Sequence, residues 1–180
     1  DEVTLDLAGF TVGDANSSAT ALSVQGASGV VVRNGALVGT GLLFSLANAS
    51  VTALNMSYDA SLVSVDGESS LTDAWYVSVL VQDQDGASVS GATVLLGSEN
   101  GTSDSDGKVL ASFSAGSNVE VNVSAGGYTD VSTSVHNLTG NSEVVVQVND
   151  TEAPNVTLVG GVLIGVQNVS LNVSVSDATR

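Results

Sequence analysis

The feature that most constrains the fold is a repeated pattern of short valine-rich runs between turns of glycine, asparagine and aspartate. Val30–Val38 and Val119–Val123 are two such runs, and the second alternates apolar with polar residues. Period-two alternation and β-branched side chains are typical of strands with one buried face. The chain has a single lysine, so it lacks the paired charges that usually cover exposed helices. The sequence therefore predicts a fold that is nearly all β.

The charge balance excludes several classes of partner. The 180 residues include 19 Asp and Glu but only 3 Lys and Arg, which gives a formal net charge of −16. With so few cations, the chain lacks the basic surface that binds nucleic acid or an anionic membrane. It has no cysteine and one histidine, His136, which excludes disulfides, thiolate zinc sites and histidine-rich metal cages. The longest apolar stretch, residues 161–166, is too short to span a bilayer, so we expect no membrane insertion in this segment.

Asparagine occurs mostly in N-glycosylation sequons. Ten of the thirteen asparagines begin Asn-x-Ser/Thr, whereas chance predicts about three. Asn122, Asn168 and Asn172 fall on the polar faces of alternating runs, where a glycan stays outside a core. We therefore predict covalent N-glycans and export to the cell surface; an alternative is that these residues are simply common polar residues of strands and loops. The predicted sites are Asn16, Asn48, Asn55, Asn100, Asn122, Asn137, Asn149, Asn155, Asn168 and Asn172.

Residues 1–73 contain a degenerate repeat of about twenty residues. Val30–Gly35 is followed about 21 residues later by Val51–Met56, which is the spacing of one rung in a solenoid. Together with Val3–Val12, these runs resemble rungs of right-handed parallel β-helices of the pectate-lyase-like family. The resemblance implies a short parallel β-helix-like segment. It also leaves open an alternative function, the binding or degradation of polysaccharide.

Residues 74–150 carry short strands with turn signals every 8 to 12 residues, which is typical of a β-sandwich. The stretch resembles the carboxypeptidase-regulatory-like, or prealbumin-like, Ig-type domain. The resemblance rests on the motifs Asp83–Gly86, Val89–Val94, Asp104–Gly107 and Gly127–Tyr128. Members of that family are accessory, adhesive or stalk modules without catalysis of their own, and the resemblance implies the same here.

Residues 151–180 contain the single proline, Pro154, and resemble the start of a further Ig-like repeat. About thirty residues cannot close a sandwich by themselves. Two interpretations stay open: the chain is a fragment of a longer protein, or these strands complete a sheet in a neighbouring subunit. In the second case, an alternating strand would be donated to an open sheet edge and would make a polymer. The residues that would fill the acceptor are Val169, Leu171, Val173 and Val175.

Two Asp-x-Asp-Gly turns are candidate metal sites. Asp83 and Asp85 form one carboxylate pair and Asp104 and Asp106 form the other, and carboxylate oxygens are ligands that Ca²⁺ prefers. The alternative is that each Asp bonds to its own turn backbone while the glycine takes a positive φ. Neither turn has the longer loop and closing glutamate of an EF-hand, so both interpretations stay open.

The aromatic residues allow two interpretations. Trp75, Tyr76 and Tyr128 provide either a surface on which sugars stack or packing in the core and at the domain junction. No second ligand accompanies His136, and no carboxylate pair with glycosidase spacing is identifiable.

These observations predict an all-β, non-enzymatic structural or adhesive segment of an extracellular, N-glycosylated surface protein. The dense sequons and low lysine content favour an archaeal source. We expect self-association into a filament, a stalk or an S-layer-like lattice. Two alternatives remain: a carbohydrate-binding or polysaccharide-degrading surface protein, and a viral spike or fibre protein.

Overall fold

The computed structural model describes residues 3–152, and it confirms the all-β class. These residues form fourteen strands and one 3-10 turn, Ala60–Leu62. No helix in the described range is long and apolar enough to cross a membrane. The strands are β1 Val3–Asp6, β2 Thr11–Gly13, β3 Leu22–Gln25, β4 Val30–Val38, β5 Phe44–Ala47, β6 Ser50–Ser57, β7 Val63–Val65, β8 Ser70–Gln82, β9 Thr93–Leu96, β10 Glu99–Thr102, β11 Lys108–Ser114, β12 Val119–Ser124, β13 Val131–Val135 and β14 Ser142–Gln147.

The first half of the described chain forms stacked parallel rungs. β1 and β2 pair with β4, β4 pairs with β6, and β6 pairs with the first part of β8, all in parallel. β3, β5 and β7 form a second parallel sheet in that order. Parallel pairing of successive passes of the chain is the arrangement of a β-solenoid. We call β1–β7 with the first part of β8 the solenoid; its assignment to the pectate-lyase type stays a prediction.

The solenoid core is built in columns that cross the rungs. Val30 pairs with Val51, and Val32 pairs with Ala53 two residues further along the same strands. All four side chains are buried, because alternate residues of parallel strands point to the same face. The column pattern explains why aliphatic residues recur at intervals of 21 residues in the sequence.

The second half forms a β-sandwich, as predicted. The second part of β8 pairs antiparallel with β11 and parallel with β14. A four-stranded sheet in the order β10-β9-β12-β13 packs on it across one hydrophobic core. We call the second part of β8 with β9–β14 the sandwich. Its alternating valines meet inside, including Val77, Val79, Val81, Val94 and Val121, which are fully buried.

One continuous strand belongs to both modules. β8 pairs with β6 through Ala74 and with β11 from Ala74 onwards. The predicted boundary between residues 73 and 74 therefore falls inside a strand, and no flexible linker separates the solenoid from the sandwich. The predicted division into three parts stays a prediction, and almost all of its last part, residues 153–180, lies outside the described residues.

Candidate functional site: the side-chain ladder and the junction cleft

A ladder of polar side chains links successive rungs of the solenoid. Asn55 Nδ2 donates to Asn34 Oδ1 at 3.1 Å. Asn34 Nδ2 donates to Asp6 Oδ1 at 3.2 Å. Asn34 and Asn55 have left-handed backbones, with φ of 58° and 52°, a conformation that Asn adopts more readily than most other residues. The same left-handed position inside β4 and β6 therefore brings the two amides together.

The ladder ends on the sandwich. Asn141, in the loop between β13 and β14, donates from Nδ2 to Asn55 Oδ1 at 2.8 Å. Its Oδ1 accepts the backbone N–H of Tyr76 at 2.9 Å. The side chain of Asn141 thus bridges the last asparagine of the solenoid and the strand that both modules share. Each such hydrogen bond contributes about 1 kcal/mol of net stability.

At the other end of the ladder, Asp6 accepts several hydrogen bonds. The backbone N–H of Ala8 and the amide of Asn34 lower the pKa of the Asp6 carboxyl, and Arg33 lowers it further. Arg33 Nε lies 2.9 Å from Asp6 Oδ2 and forms a partly exposed ion pair. Exposed ion pairs contribute little alone, so Asp6 acts mainly as the hydrogen-bond acceptor that ends the ladder.

A cleft of about 570 Å³ lies where the ladder meets the sandwich. Its walls combine two aromatic rings, a carboxylate and the ladder amides. They comprise Gly9, Asn34, Gly35, Asn55, Met56, Ser57, Tyr58, Ala60, Asp73 and Trp75. The cleft therefore has the residue types that neutral polar ligands need, namely flat apolar surfaces with hydrogen-bonding groups at their edges.

The carboxylate and one of the rings are bonded to each other. Tyr58 donates from its hydroxyl to Asp73 Oδ1 at 2.5 Å. Burial raises the pKa of the Tyr58 hydroxyl, and the bond to Asp73 raises it further, so the group stays a donor at neutral pH. The Tyr58 ring packs edge-on against Phe44 with ring centroids 5.0 Å apart, which fixes its orientation.

The aromatic residues singled out from the sequence have mixed surroundings. Trp75 and Tyr128 are half-buried and pack against the sandwich core. Trp75 also lines the cleft, so it contacts both the core and a surface that sugars would reach. Tyr76 is half-buried beside the loop of Asn141. His136 is exposed, and its Nε2 lies 2.9 Å from the Ser134 hydroxyl.

The predicted glycosylation sites differ in exposure. Five described sequon asparagines are exposed and two are half-buried. The exposed ones are Asn16, Asn48, Asn100, Asn137 and Asn149. The half-buried ones are Asn55 and Asn122. Asn155, Asn168 and Asn172 lie outside the described residues. Nδ2 of Asn55, the atom to which a glycan would be attached, donates the hydrogen bond to Asn34. This sequon therefore has a structural role in the ladder.

The first Asp-x-Asp-Gly turn is held together from within. Asp83 Oδ1 accepts the N–H groups of Asp85 and Ala87 at 2.9 and 2.8 Å. Gly86 has a φ of 84°, as an Asx turn followed by glycine requires. Asp83 is buried, whereas Asp85 is exposed. The buried Asp83 carboxylate thus takes the place of backbone carbonyls as the acceptor for these two N–H groups of the turn.

The second turn repeats this arrangement beside the first. Asp104 Oδ1 accepts the N–H groups of Asp106 and Lys108 at 2.9 and 2.8 Å. Gly107 has a φ of 75°, and its carbonyl accepts the N–H of Val81 at 2.8 Å. A Cβ on Gly107 would lie 2.5 Å from the Val81 oxygen, so only glycine fits. The two turns therefore meet at one end of the sandwich.

Metal binding at these turns stays a prediction. Among residues 3–152, no group of three or more Asp, Glu, His or Cys side chains is arranged to hold an ion. Asp83, which is buried, and Asp104, which is exposed, each already accept two backbone N–H groups. Coordination of calcium by Asp83, Asp85, Asp104 and Asp106 would have to accommodate those bonds.

Sequence reasoning identified only part of this site. Asn34 and Asn55 are 21 residues apart, which is the rung spacing, and this spacing is the sequence signal from which the ladder could be inferred. Asn141 is 86 residues from Asn55, and the sequence carries no signal for that contact. The hydrogen bond between Tyr58 and Asp73 likewise forms only because the stacking of adjacent rungs brings the two side chains together. The predicted donor residues Val169, Leu171, Val173 and Val175 lie outside the described residues.

In comparisons with known proteins, the chain matches no family model and no curated protein. Solved structures similar to it include the Bacillus anthracis TIE protein, at 10% identity and a TM-score of 0.38, over 46% of this chain and 18% of that one. GBS52, the minor pilin of Streptococcus agalactiae, has 12% identity and a TM-score of 0.36, over 51% and 53%.

A streptococcal ancillary pilin also has 12% identity and a TM-score of 0.36, over 64% of this chain and 52% of that one. The chain thus spans about half or less of the length of each of these three structures. TM-scores below 0.4 do not establish a shared fold, so the all-β class rests on the strand pairing itself.

Proposed function

We propose that the chain is a non-enzymatic structural segment of an extracellular, N-glycosylated surface protein that assembles into a filament, a stalk or a lattice. The observation that carries this proposal is the continuous path from the first rung to the far end of the sandwich. β8 runs through both modules, and the ladder from Asp6 to Asn141 crosses the rungs and reaches β8 at the backbone of Tyr76. Because backbone and side-chain bonds connect both modules, force applied at one end passes to the other without a hinge.

The exposed sequons support glycosylation. Asn16, Asn48, Asn100, Asn137 and Asn149 are all accessible, and they are distributed over both modules. A glycan at any of them would project into solvent and leave both cores undisturbed. The net charge of −16 and the glycans together would keep such a surface segment hydrated. Asn55 is the exception, since its amide belongs to the ladder, and we expect lower occupancy there.

Electron microscopy of the native material, with intact-mass and glycopeptide analysis of the same sample, tests the proposal. We expect ordered filaments or sheets and a mass well above the 17.8 kDa of the polypeptide. Glycopeptides should show occupied exposed sequons, and Asn55 serves as the internal control within the same molecule. A dispersed monomer at the bare polypeptide mass would refute both assembly and glycosylation.

The junction cleft favours a second candidate function, the binding of carbohydrate. Trp75 and Tyr58 offer two rings in the cleft lining, and Asp73, bonded to the Tyr58 hydroxyl, offers a carboxylate. Sugars bind proteins by stacking their apolar faces on aromatic rings while carboxylates and amides accept and donate hydrogen bonds. The cleft lies beside the ladder, and the ladder residues Asn34 and Asn55 form part of its wall. Ligand binding and a structural role are therefore compatible.

The intrinsic fluorescence of the protein tests this second candidate directly. Trp75 is the single tryptophan of the chain and lines the cleft, so its emission reports on the cleft. Titration with neutral polysaccharides should shift the emission of the native chain and leave an Asp73→Asn variant less responsive. Asp130→Asn, on the sandwich surface, is the matched control. An unchanged emission spectrum with every polysaccharide tested would exclude the cleft as a sugar site.

Calcium is a further proposal for the paired Asp-x-Asp-Gly turns. If the ion binds there, millimolar calcium should raise the melting temperature, because a ligand that binds the folded state stabilises it by mass action. Magnesium at the same concentration and ionic strength is the control. A melting temperature that responds equally to both cations would indicate screening of the −16 charge and no specific site.

A further inference from the structure

A leucine side chain points away from the core on the outer face of the four-stranded sheet of the sandwich. Leu95, in β9, is 39% exposed, whereas its chain neighbours Val94 and Leu96 are 0% and 1% exposed. Alternate residues of a strand point to opposite faces, so Val94 and Leu96 face the core and Leu95 faces outwards. A single exposed leucine is common on protein surfaces, so the neighbours of Leu95 decide whether it has a function.

Both cross-strand neighbours of Leu95 are asparagines that begin sequons. Leu95 pairs with Asn122 of β12 on one side and with Asn100 of β10 on the other. Paired residues of antiparallel strands point to the same face, with Cβ atoms about 4.5–5.5 Å apart. The first sugar on either amide therefore starts within reach of the leucine side chain.

A groove of about 340 Å³ lies on the Asn122 side of Leu95. Its volume is within the range of about 300–1,000 Å³ that small-ligand sites occupy. The lining includes Thr93, Leu95, Asn122, Ser124, Asp130 and Ser132. Asn122 is half-buried, and among residues 3–152 its amide has no hydrogen-bond partner, in contrast to the amide of Asn55. The Asn122 amide is therefore available for attachment of a sugar at the wall of the groove.

We propose that this groove holds the first sugar of an N-glycan on Asn122, with one face of the sugar ring packed on Leu95. The inference rests on the proposed N-glycosylation and gives one glycan a structural role. Attachment joins C1 of a phosphate-activated sugar to Nδ2 of Asn122, which loses one proton as the phosphate leaves with the electrons of the C1–O bond. Ser124, the hydroxyl residue of the same sequon, also lines the groove.

The chemistry of the groove matches a neutral sugar. A pyranose ring has an apolar face of C–H groups and hydroxyls around its edge, so it needs an apolar surface beside hydrogen-bonding groups. Leu95 supplies the apolar surface on one side of Asn122, and Ser132 pairs with Asn122 on the other side. The Ser132 hydroxyl and the Asp130 carboxylate supply groups that sugar hydroxyls bind. The covalent link holds the sugar beside Leu95 at a high effective concentration, so contact does not require the affinity of a free ligand.

Removal of single sequons tests the contact in the full chain. The protein is produced in a eukaryotic secretory host and trimmed with an endoglycosidase that leaves one N-acetylglucosamine on each occupied asparagine. Ser124→Ala removes the Asn122 sequon and should lower the melting temperature by about 2–4 °C, because Leu95 loses its cover. Thr139→Ala removes the sequon of the exposed Asn137 and is the matched control, with an expected shift below about 1 °C. In chains made without glycans, both variants should shift the melting temperature by less than about 1 °C.

A second pair of substitutions tests whether Leu95 is the contact. In a Leu95→Thr background, loss of the Asn122 glycan through Ser124→Ala should lower the melting temperature much less than it does in the native background, because the sugar has no apolar surface to cover. Leu110, on the other sheet, is 63% exposed and pairs with Ser78, so Leu110→Thr is the matched control. In that background, the full shift of about 2–4 °C should persist. Equal shifts in the two backgrounds would overturn the proposal, as would a Ser124→Ala shift that is the same with and without glycans.

Glycopeptides of the native material separate this inference from the proposed function. Occupied Asn137 and Asn149 with an empty Asn122 would refute the groove contact and leave N-glycosylation intact. An occupied Asn122 whose glycan adds no more stability than that of Asn137 would have the same meaning. Native material without any glycan would refute N-glycosylation and this inference together.

Discussion

The solenoid and the sandwich bury similar valine-rich strands in two different ways. In the sandwich, two sheets close over one core, and Val77, Val79 and Val121 have no exposed surface. In the solenoid, each rung is covered by the next, and the first rung leaves Val3 and Leu5 exposed. The comparison shows that a sandwich closes over its own core, whereas each rung of a solenoid depends on the neighbouring rungs to cover its apolar side chains.

The two modules also differ in how polar side chains support the backbone. The solenoid connects rungs with a ladder that crosses strands, from Asp6 through Asn34 to Asn55. The sandwich uses carboxylates that each close a single local turn, Asp83 and Asp104. Polar bonds therefore hold neighbouring rungs together in the solenoid and shape individual loops in the sandwich.

The largest expected effect is on the solenoid core. Phe44 is completely buried, and Phe44→Ala should lower the free energy of unfolding by about 3–5 kcal/mol, because it leaves a cavity. Phe10, in the first rung, is 74% exposed, and Phe10→Ala is the matched control, with an expected change below about 0.5 kcal/mol. Urea denaturation measures both. Equal losses would show that the first rung is covered in solution.

The next effect tests the ladder. Asn55→Ala removes two side-chain bonds and places Ala in a left-handed conformation, so we expect a loss of about 2–3 kcal/mol in the free energy of unfolding. Asn55→Gly removes the same bonds without the backbone strain and should cost about 1 kcal/mol less. Denaturant titrations of the two variants measure the difference. If both variants match the native chain, the ladder contributes no stability.

A smaller effect is expected in the sandwich turns. Asp104→Ala removes the acceptor of two backbone N–H groups and should cost about 1–2 kcal/mol. Asp106→Ala, in the same turn, removes an exposed carboxylate and should change the free energy of unfolding by less than about 0.5 kcal/mol. Thermal unfolding without calcium compares them. A larger loss of stability for Asp106→Ala than for Asp104→Ala would indicate that the Asp106 carboxylate stabilises the turn.

The smallest effect is the response of the solenoid to acid. The Ala8 N–H lowers the pKa of Asp6, and serine hydroxyls lower the pKa values of Asp59 and Asp66 from 3.8. A lowered pKa means that the folded chain favours the carboxylate. The stabilisation is therefore fully present above the unfolded pKa of about 3.9 and is lost as the pH falls through the folded values.

An acid titration followed by circular dichroism checks this expectation. A combined Asp6→Asn, Asp59→Asn and Asp66→Asn variant should be less stable than the native chain at neutral pH and should show a weaker dependence on pH below about 4. Identical acid transitions in the two proteins would show that these three carboxylates do not couple to folding.

Parts of the candidate site were predictable because they are local. The Asp-x-Asp-Gly turns follow from four adjacent residues: in each turn the first Asp accepts a backbone N–H of the same turn, and the glycine has a positive φ. The sequon asparagines are also visible in the sequence, but the engagement of Asn55 in a ladder is not. The cleft could not be predicted, since Tyr58 and Asp73 approach only when consecutive rungs stack.

The sequence by itself determined the all-β class, the rung spacing, the alternating core of the sandwich and the turns, because each depends on residues close together in the chain. Only the tertiary structure decided that one strand, Ser70–Gln82, serves both modules and that Asn141 closes the ladder. The physical reason is that backbone periodicity and turn chemistry act over a few residues, whereas strand order and cross-rung contacts depend on how distant segments pair.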